Sequence, residues 1–206
     1  MSLLDPVRDY YENRLRQHGA TPGGVDWNGE QSQHLRFKTL SQVIQAGADE
    51  PFRLDDFGCG YGAYLGWLIS AGWPKVDYLG IDVSPEMVVE GSKLYPQGQF
   101  VAGSTSPRMA DYAVASGIFN VALEADREAW KQYISDTLDA MHATTRKGFA
   151  FNCLTSYSDA THMRPHLFYG DPCFYFDLCK RRYSRQVALL HDYGLYEFTI
   201  IVRKDP

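Results

Sequence analysis

The sequence has no excess of positive charge. Its 20 Lys and Arg stand against 25 Asp and Glu, for a formal net charge of −5. The broad basic face that marks a nucleic-acid binder is therefore not indicated by the total. The one basic cluster, Lys180-Arg181-Arg182 with Arg185, reads as the solvated face of a helix. Cysteine is sparse as well. Cys59, Cys153, Cys173 and Cys179 include no CxxC pair, which excludes a zinc ribbon or a thioredoxin-type motif. No metal is expected. Long apolar runs are missing: none approaches the ~20 residues of a membrane span. The first residues also lack the basic start and apolar stretch of a secretory signal. These absences lead us to expect a reduced, cytoplasmic protein without membrane association, as a monomer or homodimer. No internal repeat or low-complexity segment occurs.

What the sequence does have is aromatic side chains, 14% of its 206 residues, as 14 Tyr, 11 Phe and 4 Trp. The hydrophobic fraction of 45% and charged fraction of 22% are ordinary for one globular domain. So many large rings need a packed core or a lined pocket.

Two helices are expected first. One carries Val7, Tyr10, Tyr11 and Leu15 at helical spacing and ends at His18-Gly19; the other runs from about Ser32 to Ala46. Thr21-Pro22-Gly23-Gly24 between them is loop. Strands and helices then alternate: strands over 52–57, 76–83, 99–102, 112–116 and 149–154, with helices over 63–71, 85–95 and 126–142. Ser84 is placed as an N-cap, with Pro85 at the first helical position. Such alternation argues a parallel sheet covered on both faces. Two β-rich runs, 185–192 and 197–203, are separated by Tyr193-Gly194-Leu195-Tyr196 and fit a closing antiparallel hairpin. The expected fold is α/β, a Rossmann-like, doubly wound, seven-stranded sheet, mostly parallel with an antiparallel last strand, preceded by N-terminal helices. The single domain divides into a helical N-terminal lid (1–50), a core (51–154), a cap insertion (155–184) and a C-terminal hairpin (185–206).

The strongest chemical signal is Asp56-Phe57-Gly58-Cys59-Gly60-Tyr61-Gly62-Ala63, where a strand meets a helix. Glycines there permit a tight turn and close backbone approach to a ligand, and the helix start offers free N–H groups. Asp82 follows Gly62 by 20 residues, at the end of the next strand. An acid there can accept hydrogen bonds from both hydroxyls of a ribose. Gly58, Gly60 and Ala63 also satisfy the dinucleotide pattern G-x-G-x-x-G/A. Two helices before the first strand, an acid two residues before the first glycine, and a third glycine at 62 fit a different ligand better.

LDDFGCGYGAYL (54–65) resembles the first motif of the class I S-adenosylmethionine-dependent methyltransferases, and YLGIDVSPEMV (78–88) is similar to their second. FVAGS (100–104), DYAVASGIFNV (111–121) and EFTIIVRK (197–204) resemble their third strand end, fourth strand and final antiparallel strand, in the same order. The resemblance implies S-adenosylmethionine as cofactor. Gly58, Cys59 and Gly60 would lie under its methionine part, Asp56 would contact the amino group, Asp82 the ribose, and Val83 the adenine. Ser104 stands where many relatives have an acid that bonds the adenine amino group. Ala115, Ser116 and Phe119 would line the methionine end.

Methyl transfer is an in-line displacement whose main demand is alignment and exclusion of water. A base is required only when the acceptor must lose a proton. The turn Ser116-Gly117-Ile118-Phe119-Asn120 is not the Asn/Asp-Pro-Pro-Tyr/Phe signature that resembles enzymes methylating adenine or glutamine amino groups. With the acidic balance, this favours a small-molecule acceptor over nucleic acid. The N-terminal segment is expected to close over the cofactor, with Gln33 or Arg36 on the methionine carboxylate. Tyr11 and Trp27 from this segment, Asn120, and Tyr157, Tyr169 and Tyr175 from an aromatic-rich cap are the candidate acceptor contacts. His162, Asp159 and Asn120 are the candidate catalytic groups, although Pro165 breaks any helix aligning His162 with His166. Cys173 and Cys179 read as small buried residues. Two rival readings are an NAD-dependent oxidoreductase, on the shared glycine spacing, and a non-catalytic S-adenosylmethionine-binding regulatory protein.

Overall fold

The computed structural model describes residues 2–204. Helix α1 (Asp5–His18) opens the chain and stops at Gly19, whose φ of 67° ends it. A short 3-10 turn (Pro22–Val25) leads to α2 (Glu30–Leu40). The second helix is therefore shorter than its expected span to Ala46. Its end tightens into a 3-10 turn, Ser41–Val43, which sets the Ser41 hydroxyl 2.6 Å from the Tyr64 hydroxyl in the interior.

The alternating section comprises β1 (Phe52–Phe57), α3 (Ala63–Ser70), β2 (Val76–Asp82), α4 (Pro85–Leu94), β3 (Gln99–Ala102), β4 (Ala110–Ala115), α5 (Arg127–Ala143) and β5 (Thr145–Leu154). Ser84 caps α4 by accepting from the Met87 N–H, and Asp126 caps α5 by accepting from Glu128 and Ala129. Strands β4 and β5 start earlier than expected, because a register shift between Ala110 and Tyr112 carries the pairing past the polar Arg146-Lys147-Gly148 stretch. Then follow α6 (Pro172–Arg182), β6 (Gln186–Leu190) and β7 (Glu197–Arg203).

The seven strands lie in the order β3-β2-β1-β4-β5-β7-β6. All run parallel except β7, which enters between β5 and β6 and pairs antiparallel with both. Alternation in β4 shows how the two faces are filled. Tyr112 and Val114 join Leu40, Leu65 and Leu68 on one side, while Ala113 and Ala115 join Trp130, Leu138 and Phe198 on the other. Parallel order leaves the carboxyl ends of β1, β2 and β4 together at one edge, where such sheets bind ligands.

The 155–184 segment does not form the expected aromatic cap. Asp171 N-caps α6, accepting from Cys173 and Phe174. The helix lays Tyr175 and Cys179 onto the sheet, with the Tyr175 ring 6.2 Å from both Phe151 and Phe198. Phe168 is buried in the same cluster, and Phe176 and Tyr183 pack against it. These rings complete the core over β5 and β7, whose face would otherwise be open to water. Cys179 is buried as expected, whereas Cys173 is exposed because it falls on the outer side of α6. The basic run is the exposed end of α6, where Arg181 pairs with Asp177.

Candidate functional site

At the carboxyl edge the glycine loop bends under two constraints. Gly58 has φ of 70°, and a Cβ there would lie 2.0 Å from the Ile118 side chain. Gly60 has φ of 54°. Left-handed backbone combined with close approach leaves glycine as the residue that fits. The loop is pinned to the end of β2: the Gly58 and Cys59 N–H groups donate to the Ile81 carbonyl at 2.7 and 3.1 Å. The Gly60 N–H donates to Asp82 Oδ2 at 2.8 Å, and the Ser84 N–H to Asp82 Oδ1 at 2.9 Å. One carboxylate thus holds the glycine loop and the start of α4 at once.

Above this cradle is a cavity of about 1030 Å³, counting its open mouth. Of the expected cofactor residues, Asp56, Gly58, Cys59, Gly60, Asp82, Val83, Ser104, Ser116 and Gln33 line it; of the expected acceptor contacts, Tyr11 and Trp27 do. Asp56 is 2% exposed. Its Oδ2 accepts from the Tyr78 hydroxyl at 2.7 Å, while its Oδ1 is buried without a partner. Burial raises its pKa to about 7, against the opposing effect of the Tyr78 hydrogen bond, with the nearby Asp82 and Asp55 charges adding to the rise. Burial likewise raises Asp82. The Ser116 hydroxyl is a second buried group without a partner at the cavity wall.

Other expected residues lie elsewhere. Ala115 and Phe119 are fully buried in the core beneath the cavity, the Phe119 ring edge-on to Phe151. Asn120 is a structural tie: its Oδ1 accepts from the Leu154 N–H at 3.0 Å and its carbonyl from the Phe168 N–H. Arg36 is paired within the protein and does not line the cavity. Its Nε donates to Glu197 at 2.9 Å and its guanidinium lies 4.0 Å from the centre of the Trp27 ring. Tyr157 is 68% exposed, Tyr169 accepts from the Arg164 N–H, and Tyr175 is in the core. His162 stacks on Tyr196, whose hydroxyl donates to Asp159 at 2.5 Å, on the protein surface. None of these expected residues is among those lining the cavity.

The cover over the cavity comes from the N-terminal segment, through Leu4, Val7, Tyr11, Val25, Trp27 and Phe37. It is tied down along its length. Arg16 pairs with Glu86, Glu12 accepts from the Ser84 hydroxyl at 3.1 Å, and Asp26 accepts from Tyr10 at 2.8 Å and pairs with Arg14. Tyr61, Tyr64, Ile118, Tyr133 and Thr137 also line the cavity, and sequence reasoning does not select them. Tyr61 is detectable in principle, since it stands inside the glycine loop. Tyr133 carries no local signal, because it is one aromatic of an amphipathic helix that happens to face this edge.

No protein-family model matches the chain. A Mycobacterium tuberculosis (strain ATCC 25618 / H37Rv) protein named "Putative methyltransferase Rv1506c" is 57% identical over 160 residues, covering 76% of this chain and 96% of that protein. Among solved structures, the DhpI-SAM-HEP complex is similar with a TM-score of 0.67 at 12% identity, over 98% of both chains. The plantazolicin methyltransferase BpumL in complex with SAH gives 0.64 at 11% identity, over 98% of this chain and 91% of that one. At those identities the likeness is one of fold. Together with the high identity to the mycobacterial methyltransferase, it sets aside the nicotinamide reading: the chain belongs to the class I S-adenosylmethionine-dependent methyltransferase family.

Proposed function

We propose that the protein binds S-adenosylmethionine in the cavity at the carboxyl edge and transfers its methyl group to a small molecule. The observation that carries this reading is the buried, unpartnered Asp56 Oδ1 at the wall of a glycine-cradled cavity. A buried carboxylate oxygen without a hydrogen-bond partner calls for a cationic donor, which the amino group of the cofactor's methionine part would supply. The residues present therefore fit the group. Gly58 and Gly60 would allow its close approach, Asp82 would hold the ribose, and Val83 and Ser104 would lie at the adenine. When bound, S-adenosylmethionine supplies an electrophilic methyl on a sulfonium.

The chain's own contribution is alignment and dryness. Trp27, Tyr11 and Phe37 close the cavity from above, and Ser116 and Ile118 wall it from the side. Among the described residues that line it there is no Lys, His or Glu, and the carboxylates are Asp56 and Asp82. With both committed to the cofactor, the acceptor is one that attacks with an available lone pair, such as a carboxylate or a neutral amine. The mostly aromatic and aliphatic cover favours a partly apolar acceptor over a polynucleotide.

Calorimetric titration with S-adenosylmethionine, S-adenosylhomocysteine and NAD tests the cofactor assignment, and binding of NAD alone would sink it. A screen of carboxylic acids and amines, read by release of S-adenosylhomocysteine, tests the acceptor class. Turnover confined to phenols or nucleic acids would refute that part. Cofactor binding without turnover in any class would favour the regulatory reading.

A further inference from the structure

Glu197 begins β7 and has no exposed surface, yet neither it nor its partners Arg36 and Asn152 lines the cavity. Its two oxygens reach in different directions. Oε2 accepts from Arg36 Nε at 2.9 Å, and the guanidinium covers the Trp27 ring at 4.0 Å. Oε1 accepts from Asn152 Nδ2 at 3.2 Å and lies 3.5 Å from the Tyr193 hydroxyl. Asn152 in turn accepts the Gly117 N–H on its Oδ1 at 2.6 Å. The two arms meet again at the cavity, because Trp27 lies against Gly117: a Cβ there would come within 2.3 Å of the indole. Trp27 and Gly117 both line the cavity. A buried ion pair adds little stability compared with apolar residues of the same volume. Two hydrogen-bonded arms that both end on the cavity wall need a different explanation.

We propose that Glu197 is a positioning residue of the methyl-transfer site, holding Trp27 over the cavity through Arg36 and shaping the Gly117 turn through Asn152. This rests on the reading that the cavity holds S-adenosylmethionine. Trp27 and its loop are then the closing edge of the cover. Releasing either arm should let ligand in and out faster without altering the glycine cradle.

The test uses the whole protein and S-adenosylhomocysteine as probe, with stopped-flow binding rates and hydrogen exchange at the Trp27 and Gly117 amides. Glu197→Gln alone leaves Arg36 buried and unpaired, and such a variant can fail to fold. The double variant Arg36→Met/Glu197→Gln removes both charges and should melt near the wild type. The side-chain carbonyl that this substitution retains still accepts from Asn152. Exchange at Trp27 should therefore rise about tenfold or more while Gly117 stays protected. In Arg36→Met/Glu197→Met both amides should exchange faster. Association and dissociation of S-adenosylhomocysteine should each rise about tenfold in both variants. Trp27→Ala, which leaves the pair intact, should show the same faster rates. Wild-type probe rates in Trp27→Ala, or wild-type Trp27 exchange and probe rates in a folded double variant, overturn the proposal. If the wild type itself does not bind the probe, the cofactor reading fails separately, and the exchange pattern alone decides on Glu197.

Discussion

Replacing Asp56 by Asn should make the unliganded protein more stable at pH 8 while weakening its hold on cofactor. Asp56 is a carboxyl whose pKa is raised in the folded state, from 3.8 to about 7. Its ionisation therefore opposes folding. Below about pH 4 the group is protonated in both states and costs nothing. Through the window from 3.8 to about 7 the unfolded chain has lost the proton and the folded chain keeps it, so stability falls as pH rises. Above about 7 the full penalty stands. A displacement of about 3 pH units, at ~1.4 kcal/mol each, corresponds to about 4 kcal/mol. Asn keeps an acceptor for the Tyr78 hydroxyl, which bonds Asp56 Oδ2 at 2.7 Å, but its buried amide group lacks a partner, which costs about 1–3 kcal/mol. The net gain is about 2 kcal/mol at pH 8, or ~4–8 °C in Tm for a chain of this size. At pH 5, where Asp56 is mostly neutral, that gain should disappear. S-adenosylmethionine affinity should fall ~10–100-fold at pH 8 through loss of a charge-assisted bond. Differential scanning calorimetry at both pH values and titration calorimetry check the two halves. A Tm difference independent of pH refutes the argument for a buried, electrostatically costly carboxylate. Wild-type affinity in the variant refutes its role toward the cofactor.

Gly58→Ala must place a Cβ 2.0 Å from Ile118 at φ of 70°; the left-handed conformation alone costs about 1–2 kcal/mol, and calorimetry should show at least tenfold weaker S-adenosylhomocysteine binding. Arg108→Ala should destabilise without touching the cavity, since Asp55 is fully buried and pairs with Arg108 at 2.8 Å; loss of about 3–5 kcal/mol in urea unfolding is expected, with cofactor affinity unchanged under native conditions. His162→Ala should leave cofactor affinity and turnover within about twofold in steady-state assays, because His162 is a surface residue stacked on Tyr196.

What could be read from sequence here is what short-range chemistry determines. Strands β1, β3 and β7 fall where short apolar runs end in glycine or charge, and Ser84-Pro85 marks a helix start by capping alone. The glycine loop and Asp82 are also nearly local, two ends of one strand-helix-strand unit. The errors share one cause. The rings of 155–184 look like a cap when their partners are unknown. No local rule says that Tyr175 would meet Phe151 and Phe198. Arg36 resembles a ligand-binding arginine until Glu197, 161 residues away, supplies its partner. A strand inserted antiparallel between β5 and β6 sets that meeting, and residue spacing does not encode it. Short-range motifs can therefore locate the glycine cradle and Asp82. The cavity wall is different: an N-terminal loop and a turn after β4 form it, the first residue of β7 lies behind it through Arg36 and Asn152, and local spacing encodes none of these meetings.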